Sequence, residues 1–477
     1  MFKQLLRDAS LYSLSTLLAR GFSFITVPVF TRILSPADYG ALDLLSYAAV
    51  LAPLVIGAGL DQAVGRYYLD SSLDEEERRR IASTGLFYNL IAFAVVGLLL
   101  APAADFLARG WLAGQVGPGT VQIVLVFMWI QSIFYITNNQ LRYLFRARAF
   151  ALSNVGNTVL STASSFAAIV WLDLGVAGVF LGQAFGQLVF SVVSIWLARD
   201  CYRAVFDLAL LRRMLVYSLP LVPGTLAFFV MQYVDRYVLN DARGLAEVGI
   251  YGMGARIASL VNLFLMGFQG AWWPHVMSAF REPDAPGKFR KVAEVYLLVT
   301  MAILVLLSLF GHEVLLLLTT PEFAAGYVVV PLLVLGAVMA SVANYFSYGI
   351  QIAEKNHYRM LLNLGALVAA VGLNLLLVPA LGVVGAALAN ALCFVALAAG
   401  SLAVSQRLYH VPYAWPRLLA GLAIGIAVSH AVIFWEAPVS LLMLVVKGAL
   451  AALAITLTAL VLGVPLRPRE WRRIAGL

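Results

Sequence analysis

The chain has 477 residues, of which 62% are hydrophobic and only 12% charged, and its mean hydropathy is +0.90. Soluble domains carry about 25% charged residues, so a water-solvated globule is excluded and lipid must be the solvent for most of this chain. The formal net charge of +8 is scattered over many loops and forms no single patch, which excludes a nucleic-acid-binding role.

A membrane span needs about 20 predominantly apolar residues. Hydropathy and its breaks predict about fourteen such windows. In chain order they lie near 9–31, 40–63, 82–108, 119–139, 150–171, 176–198, 214–239, 245–272, 292–311, 326–350, 359–379, 382–405, 417–435 and 438–464. The longest polar stretches between them, "RYYLDSSLDEEERRR" and "SAFREPDAPGKFRK", are too short for an independent soluble domain. "LDEEERRR" reads as a solvated charge run. Arg20 interrupts any signal-peptide apolar core, so the first window is expected to remain as a span.

Charge sets the expected orientation. With Lys3 and Arg7 placed in the cytoplasm, the N-terminus, the even-numbered loops and the tail together hold 25 of the 32 Lys and Arg residues, and the outer loops hold only Arg32, Arg109, Arg236 and Arg243. This positive-inside bias predicts cytoplasmic termini. The segment "RDCYRAVFDLALLRRML", between the sixth and seventh windows, has helical apolar spacing with arginines along it. It reads as an amphipathic helix on the inner leaflet. Cys201 and Cys393 have no metal-ligand company and are not expected to pair.

The chain repeats itself. "YSLSTLLARGFSFITVPVFTRIL" from Tyr12 aligns with "YSLPLVPGTLAFFVMQYVDRYVL" from Tyr217, and Arg32 then faces Arg236. Gly40 faces Gly249, Asn154 faces Asn363, and Gly175 faces Gly382, all at an offset of about 205–209 residues. Six windows separate the copies, so both enter the membrane with the same polarity and form parallel repeats, as in two-lobed transporters. The expected division is an N-lobe over 1–200, a cytoplasmic amphipathic linker over 201–213, a C-lobe over 214–410, and two extra helices with a basic tail over 411–477. Pro28, Pro53, Pro220, Pro223 and the Gly57/Gly59 pair interrupt spans. Such breaks serve either ordinary packing or bending at a lobe interface.

Charges inside spans are the most informative signal. An arginine at a helix centre costs about 2.5–3.5 kcal/mol on insertion scales, and arginine does not deprotonate to escape that cost. Arg20 is central in the first window, Arg256 in the eighth, and Lys447 lies about ten residues into the last. Neither Arg20 nor Arg256 is duplicated in the other copy. Each of the three is either half of a buried ion pair, with Asp43 or Asp61 as partners for the arginines, or a wall of a cationic cavity for an anionic substrate. Arg66, at the inner end of the second window, is an inside-positive residue or a guide toward Arg20. The duplicated Arg32 and Arg236 read as snorkelling anchors or gate elements. Asp61, Asp43 and Asp235 are the candidates for H⁺ or Na⁺ coupling, with Asp61 in "GLDQAVGRYY" first. His312-Glu313 is expected in an outer loop and His430 inside a span, neither with zinc-site company.

"TRILSPADYGALDLLSYA" and "GLDQAVGRYY", together with "DLGVAGVFLGQAFGQ" and "ALGVVGAALANAL" once per lobe, strongly resemble the polysaccharide-transport branch of the multidrug/oligosaccharidyl-lipid/polysaccharide exporter superfamily, the Wzx-like oligosaccharide flippases. The resemblance covers nearly all of residues 1–410. It implies an all-α, V-shaped, two-lobed transporter in the bacterial cytoplasmic (inner) membrane. The implied activity moves undecaprenyl-pyrophosphate-linked oligosaccharide units from the inner to the outer leaflet by alternating access, for surface polysaccharides such as O-antigen, lipopolysaccharide or exopolysaccharide. It implies no bound cofactor and, as partners, a polysaccharide polymerase and a chain-length regulator. Relatives of the lipid II flippase type carry cavity arginines in spans 1, 2 and 8; Arg20 and Arg256 match the first and last in kind, while Arg66 falls at the end of span 2. A cavity lined by Arg20, Tyr47, Gln232, Arg256, Asn262 and Gln269, with Lys447 on an extra helix, can replace the water lost by a sugar-diphosphate headgroup.

Two other readings stand beside this one. A multidrug or cation exporter of the same superfamily would want buried carboxylates and no central arginines. A polytopic glycan-assembly enzyme would want large outer loops with paired carboxylates, which this chain lacks. The expectation is therefore a transporter and not an enzyme.

Overall fold

A computed structural model describes residues 26–70, 72–431 and 440–464, with single positions at Ser15, Leu18 and Gly21. Every regular element among these residues is helical. The chain divides into two compact units, Met1–Phe229 with Gly244–Gly249, and Val230–Arg243 with Ile250–Leu477.

In the first unit, residues 26–30 are helical and lead into α1 (Pro36–Val55). "LSPADY" encodes the start of α1: the Asp38 N–H donates to Ser35 Oγ at 3.2 Å, the Ser35 N–H donates back to Asp38 Oδ2 at 3.1 Å, and Pro36 fills the first turn. The window predicted over 40–63 is broken: α1 stops at Val55, the chain turns through Ala58 and Gly59 at positive φ, and α2 (Leu60–Tyr68) begins afresh. The charge run "LDEEERRR" is itself a helix start. Asp74 and Glu77 form a second capping box that opens α3 (Glu75–Leu100), which a short α4 (Ala104–Gly110) extends.

α5 (Pro118–Tyr143), α6 (Ala147–Val170) and α7 (Gly175–Leu197) complete a bundle. Lipid gives no apolar driving force between helices, so they associate through small residues and hydrogen bonds. Gly178, Gly182 and Gly186, one turn apart on α7, meet Ala168, Ser165 and Ser161 on α6 backbone to backbone. Ser165 Oγ donates to the Val179 carbonyl at 2.9 Å, and the Ser153 and Ser194 hydroxyls share a hydrogen bond at 2.6 Å. Gly182→Leu is expected to force the pair apart and cost at least 1–3 kcal/mol, seen as a lower melting midpoint in detergent. Gly97→Leu, whose site faces open space, should leave the midpoint within about 0.5 kcal/mol of wild type. α8 (Leu208–Ser218) follows, capped by Asp207, with Leu211 and Met214 buried against Leu60, Ala63, Val64 and Ile81.

The second unit takes residues from α9 (Val222–Arg243) and α10 (Leu245–Ala279), then α11 (Ala285–Leu318), α12 (Val330–Phe346), α13 (Tyr348–Ile352), α14 (Asn356–Leu408), α15 (Trp415–Ala431) and α16 (Leu441–Leu462). Val305 and Leu309 of α11 pack against Ala451 and Ala454 of α16, while Leu298 packs against Leu418 and Leu462. α14 is bent at Gly382, whose φ of 57° and ψ of −133° no ordinary side chain adopts comfortably. Its repeat partner Gly175 also has positive φ, 49°, where α6 turns into α7. The two copies therefore turn at the same aligned glycine.

Among the described residues nine helical stretches are long and apolar enough to cross a membrane. The fourteen windows exceed nine for identifiable reasons. Two fall in the single bent helix α14, and α15, at 17 residues, is short. α6 is diluted by serine, threonine and asparagine, several side chains of α10 lie outside the described set, and most of 9–31 does too.

Candidate functional site

The membrane-embedded polar residues gather in local clusters, each made by two or three helices. On α2, Asp61 follows the Ala58–Gly59 break. Tyr135 of α5 donates its hydroxyl to Asp61 Oδ2 at 3.1 Å, and Tyr143 donates to the Asp61 backbone carbonyl at 3.2 Å. Arg66 lies exposed near the end of the same short helix. Asp43 is buried on α1, with Tyr47 one turn further on and half-buried. Arg20 lies outside the described residues.

In the second unit Gln232 and Arg236 sit one turn apart on α9, next to Asp235. The backbone N–H and the Nη1 of Arg236 both donate to Asp235 Oδ1, at 2.8 and 2.9 Å, and the Tyr251 hydroxyl of α10 donates to Oδ2. The Arg236 guanidinium also lies 5.1 Å from the centroid of the Tyr251 ring. Asp235 and Arg236 are thus both buried, at 2% and 5% exposure. The other duplicated arginine behaves differently: Arg32 is exposed and turns back onto the Pro28 carbonyl. An adjacent carboxylate lets one copy enter the interior; without one, the other stays at the edge.

α10 carries three candidates, Arg256, Asn262 and Gln269. At about 100° per residue, Asn262 and Gln269, seven apart, share a face. Arg256 sits about 120° round the helix from Asn262. Gln269 Nε2 donates to Ser341 Oγ at 2.8 Å, and the same hydroxyl is bonded to Tyr296. On α16, Lys447 donates to Glu313 of α11 at 2.5 Å, with side chains 6% and 13% exposed. Glu313, expected in an outer loop, lies inside α11, which runs past the predicted window end at 311 to Leu318.

The structure thus brings Asp235 and Arg236 to Tyr251, Lys447 to Glu313, Gln269 to Ser341 and Tyr296, and Asp61 to Tyr135 and Tyr143. The partners Tyr251, Ser341, Tyr296, Tyr135 and Tyr143 were not singled out from the sequence, and Glu313 was noted only as an outer-loop residue beside His312. Their only trace there is a polar group inside or bordering an apolar window.

The architecture, helical in every regular element among the described residues, matches the fold of solved membrane transporters. The fold matches the lipid II flippase MurJ in an inward closed conformation, with TM-score 0.76 and 11% identity over 94% of this chain and 98% of that one. It matches an inward-facing multidrug resistance MATE family transporter of the MOP superfamily, with TM-score 0.67 and 19% identity over 82% and 94%. The chain belongs to the polysaccharide biosynthesis protein family, whose sequence model matches residues 5–280. Among curated relatives it is 23% identical over 258 residues to the succinoglycan biosynthesis transport protein ExoT of Rhizobium meliloti, covering 53% of this chain and 50% of ExoT. It is 23% identical over 288 residues to an uncharacterized membrane protein of Haemophilus influenzae, covering 58% of this chain and 66% of that one. The aligned segments thus span about half to two thirds of these relatives' lengths. The protein is a multi-pass membrane protein of polysaccharide biosynthesis.

Proposed function

We propose that this protein flips undecaprenyl-pyrophosphate-linked oligosaccharide units from the inner to the outer leaflet of a bacterial inner membrane by alternating access. The observation that carries the reading is a permanent cation, Arg256, within the membrane helix α10 of a polysaccharide biosynthesis protein. A diphosphate-sugar headgroup has no path through hydrocarbon, and arginine matches phosphate in charge and in its forked donors. The names of the relatives, a succinoglycan transport protein and a lipid II flippase, support a lipid-linked glycan as cargo. In this reading Arg20 and Arg256 hold the diphosphate, Arg66 leads it inward, and Asp61, Asp43 or Asp235 couples the cycle to H⁺ or Na⁺. A polymerase and a chain-length regulator take up the product.

The test is surface glycan production in cells carrying Arg20→Ala or Arg256→Ala at wild-type protein level. Each is expected to lower polymer at least tenfold, and wild-type polymer from both overturns the reading. The multidrug-exporter reading rests on the MATE-like fold. It requires the same cells to lose resistance to organic cations while polymer stays normal.

A further inference from the structure

α8 is packed on one side only. Leu211, Met214 and Ser218 face the core of the first unit, whereas Leu208, Arg212, Val216 and Leu219 form an exposed ridge, with Leu208 70% and Val216 68% exposed. Beside the ridge lies an open groove of about 560 Å³, lined by Tyr67 of α2 with Ala209, Arg212, Arg213, Val216 and Tyr217 of α8. Its parts are mutually braced. The rings of Tyr67 and Tyr217 meet edge to face with centroids 5.9 Å apart, and the Arg213 guanidinium lies 4.9 Å from the Tyr67 centroid. Stacking holds an arginine by its face and leaves its N–H edge free to donate.

Among the described residues no carboxylate pairs with Arg212 or Arg213. The neighbouring Asp70 is engaged elsewhere. It accepts from the Ser72 N–H at 3.0 Å and the Ser72 hydroxyl at 2.7 Å, and these bonds hold its carboxyl below the usual carboxylate range, with Arg66 and Arg213 adding a smaller pull. The groove is also at the right depth. α8 continues through Leu219–Leu221 into α9 as one helical stretch, Leu208–Arg243, that holds a segment long and apolar enough to cross a bilayer. The first turns of that stretch therefore lie at the membrane edge, on the side the arginine bias marks as inner.

We propose that this groove is a binding site for the phosphodiester headgroup of an anionic phospholipid. Arg212 and Arg213 donate to the phosphate oxygens. Tyr67 and Tyr217 lie at headgroup level, where amphipathic rings are most stable. The exposed Leu208, Val216 and Leu219 side chains meet the start of the acyl chains. The assignment holds whatever cargo the protein moves.

The test uses the full chain in detergent, mixed with equal amounts of phosphatidylglycerol and phosphatidylcholine, with retained lipid counted by native mass spectrometry. The wild type is expected to retain phosphatidylglycerol preferentially. Arg212→Gln and Arg213→Gln should each weaken that retention about fivefold and together about 30-fold, at roughly one unit of surface attraction per arginine. Arg213→Lys, which keeps the charge but loses the forked donors, should fall between. Arg109→Gln, on another helix, should change nothing, and an unchanged melting midpoint certifies the fold of each variant. Three outcomes overturn the proposal: equal retention of both lipids by the wild type, an undiminished preference in the double variant, or full displacement by millimolar glycerol 3-phosphate, which would make this a site for free phosphate.

Discussion

Lys447→Met is expected to destabilise the protein by about 3–5 kcal/mol, the usual cost of breaking a buried ion pair from one side. The ammonium and the Glu313 carboxylate meet at 2.5 Å between α16 and α11, both almost fully enclosed. Among the described residues the second carboxylate oxygen, Oε2, is buried with no hydrogen-bond partner, so losing the lysine strands a charge that already has little else to satisfy it. Glu313→Leu should be comparably harmful for the mirror-image reason. The double variant Lys447→Met/Glu313→Leu should recover most of the loss, because two apolar side chains would extend the apolar cluster that Leu309 and Ala451, one turn away on the same helices, already form and lipid asks nothing of them. The measurement is a double-mutant cycle on melting midpoints in detergent. Additive losses would mean that the pair is not what fastens α16 to α11. A recovered fold with lost glycan export would instead give Lys447 a part in transport.

That ion pair also marks the limit of reading a lone sequence. Lys447 stood out, because a cation ten residues into an apolar window is costly wherever it points. Glu313 was noted only as an outer-loop residue and its pairing with Lys447 was not, because the two are 134 residues apart and hydropathy carries no information on which helices touch. The same gap hides Tyr135, 74 residues from Asp61, and Tyr251 opposite Asp235. The aligned glycines were legible for the opposite reason. A positive φ or a backbone-to-backbone approach excludes a side chain whatever its neighbours, so Gly175 with Gly382, and Gly40 with Gly249, stand in register in both copies. Hydropathy also located most helices; it ran one window through 40–63, and it was the Gly57/Gly59 pair that marked the break between α1, ending at Val55, and α2. Arg236 was expected at an outer edge beside Arg32. Its burial beside the Asp235 carboxylate and against the Tyr251 ring was not legible in the sequence.

Gly40→Ala and Gly249→Ala are each expected to cost about 1–3 kcal/mol through overpacking, and Gly40→Val to remove surface glycan by tenfold or more. These glycines lie where α1 crosses the first turns of α10, within the first unit. A Cβ on Gly40 would sit 3.1 Å from the Gly249 nitrogen and run into the Leu245 carbonyl; a Cβ on Gly249 would sit 3.1 Å from the Gly40 nitrogen and run into the Pro36 carbonyl. Leu245 is four residues before Gly249, and Pro36 is four before Gly40. The two close approaches thus mirror each other, each glycine meeting the carbonyl four residues before the other. Backbone meets backbone here with no room for a side chain on either helix, so the crossing depends on both glycines. One methyl already parts the helices, and the second then meets less resistance. The double Gly40→Ala/Gly249→Ala variant should accordingly lose clearly less than the sum of the singles in a melting cycle. Gly97→Ala, which enters open space on α3, should retain both stability and glycan. Strictly additive losses, or wild-type polymer from Gly40→Val, would mean that the close approach of α1 to the first turns of α10 is dispensable.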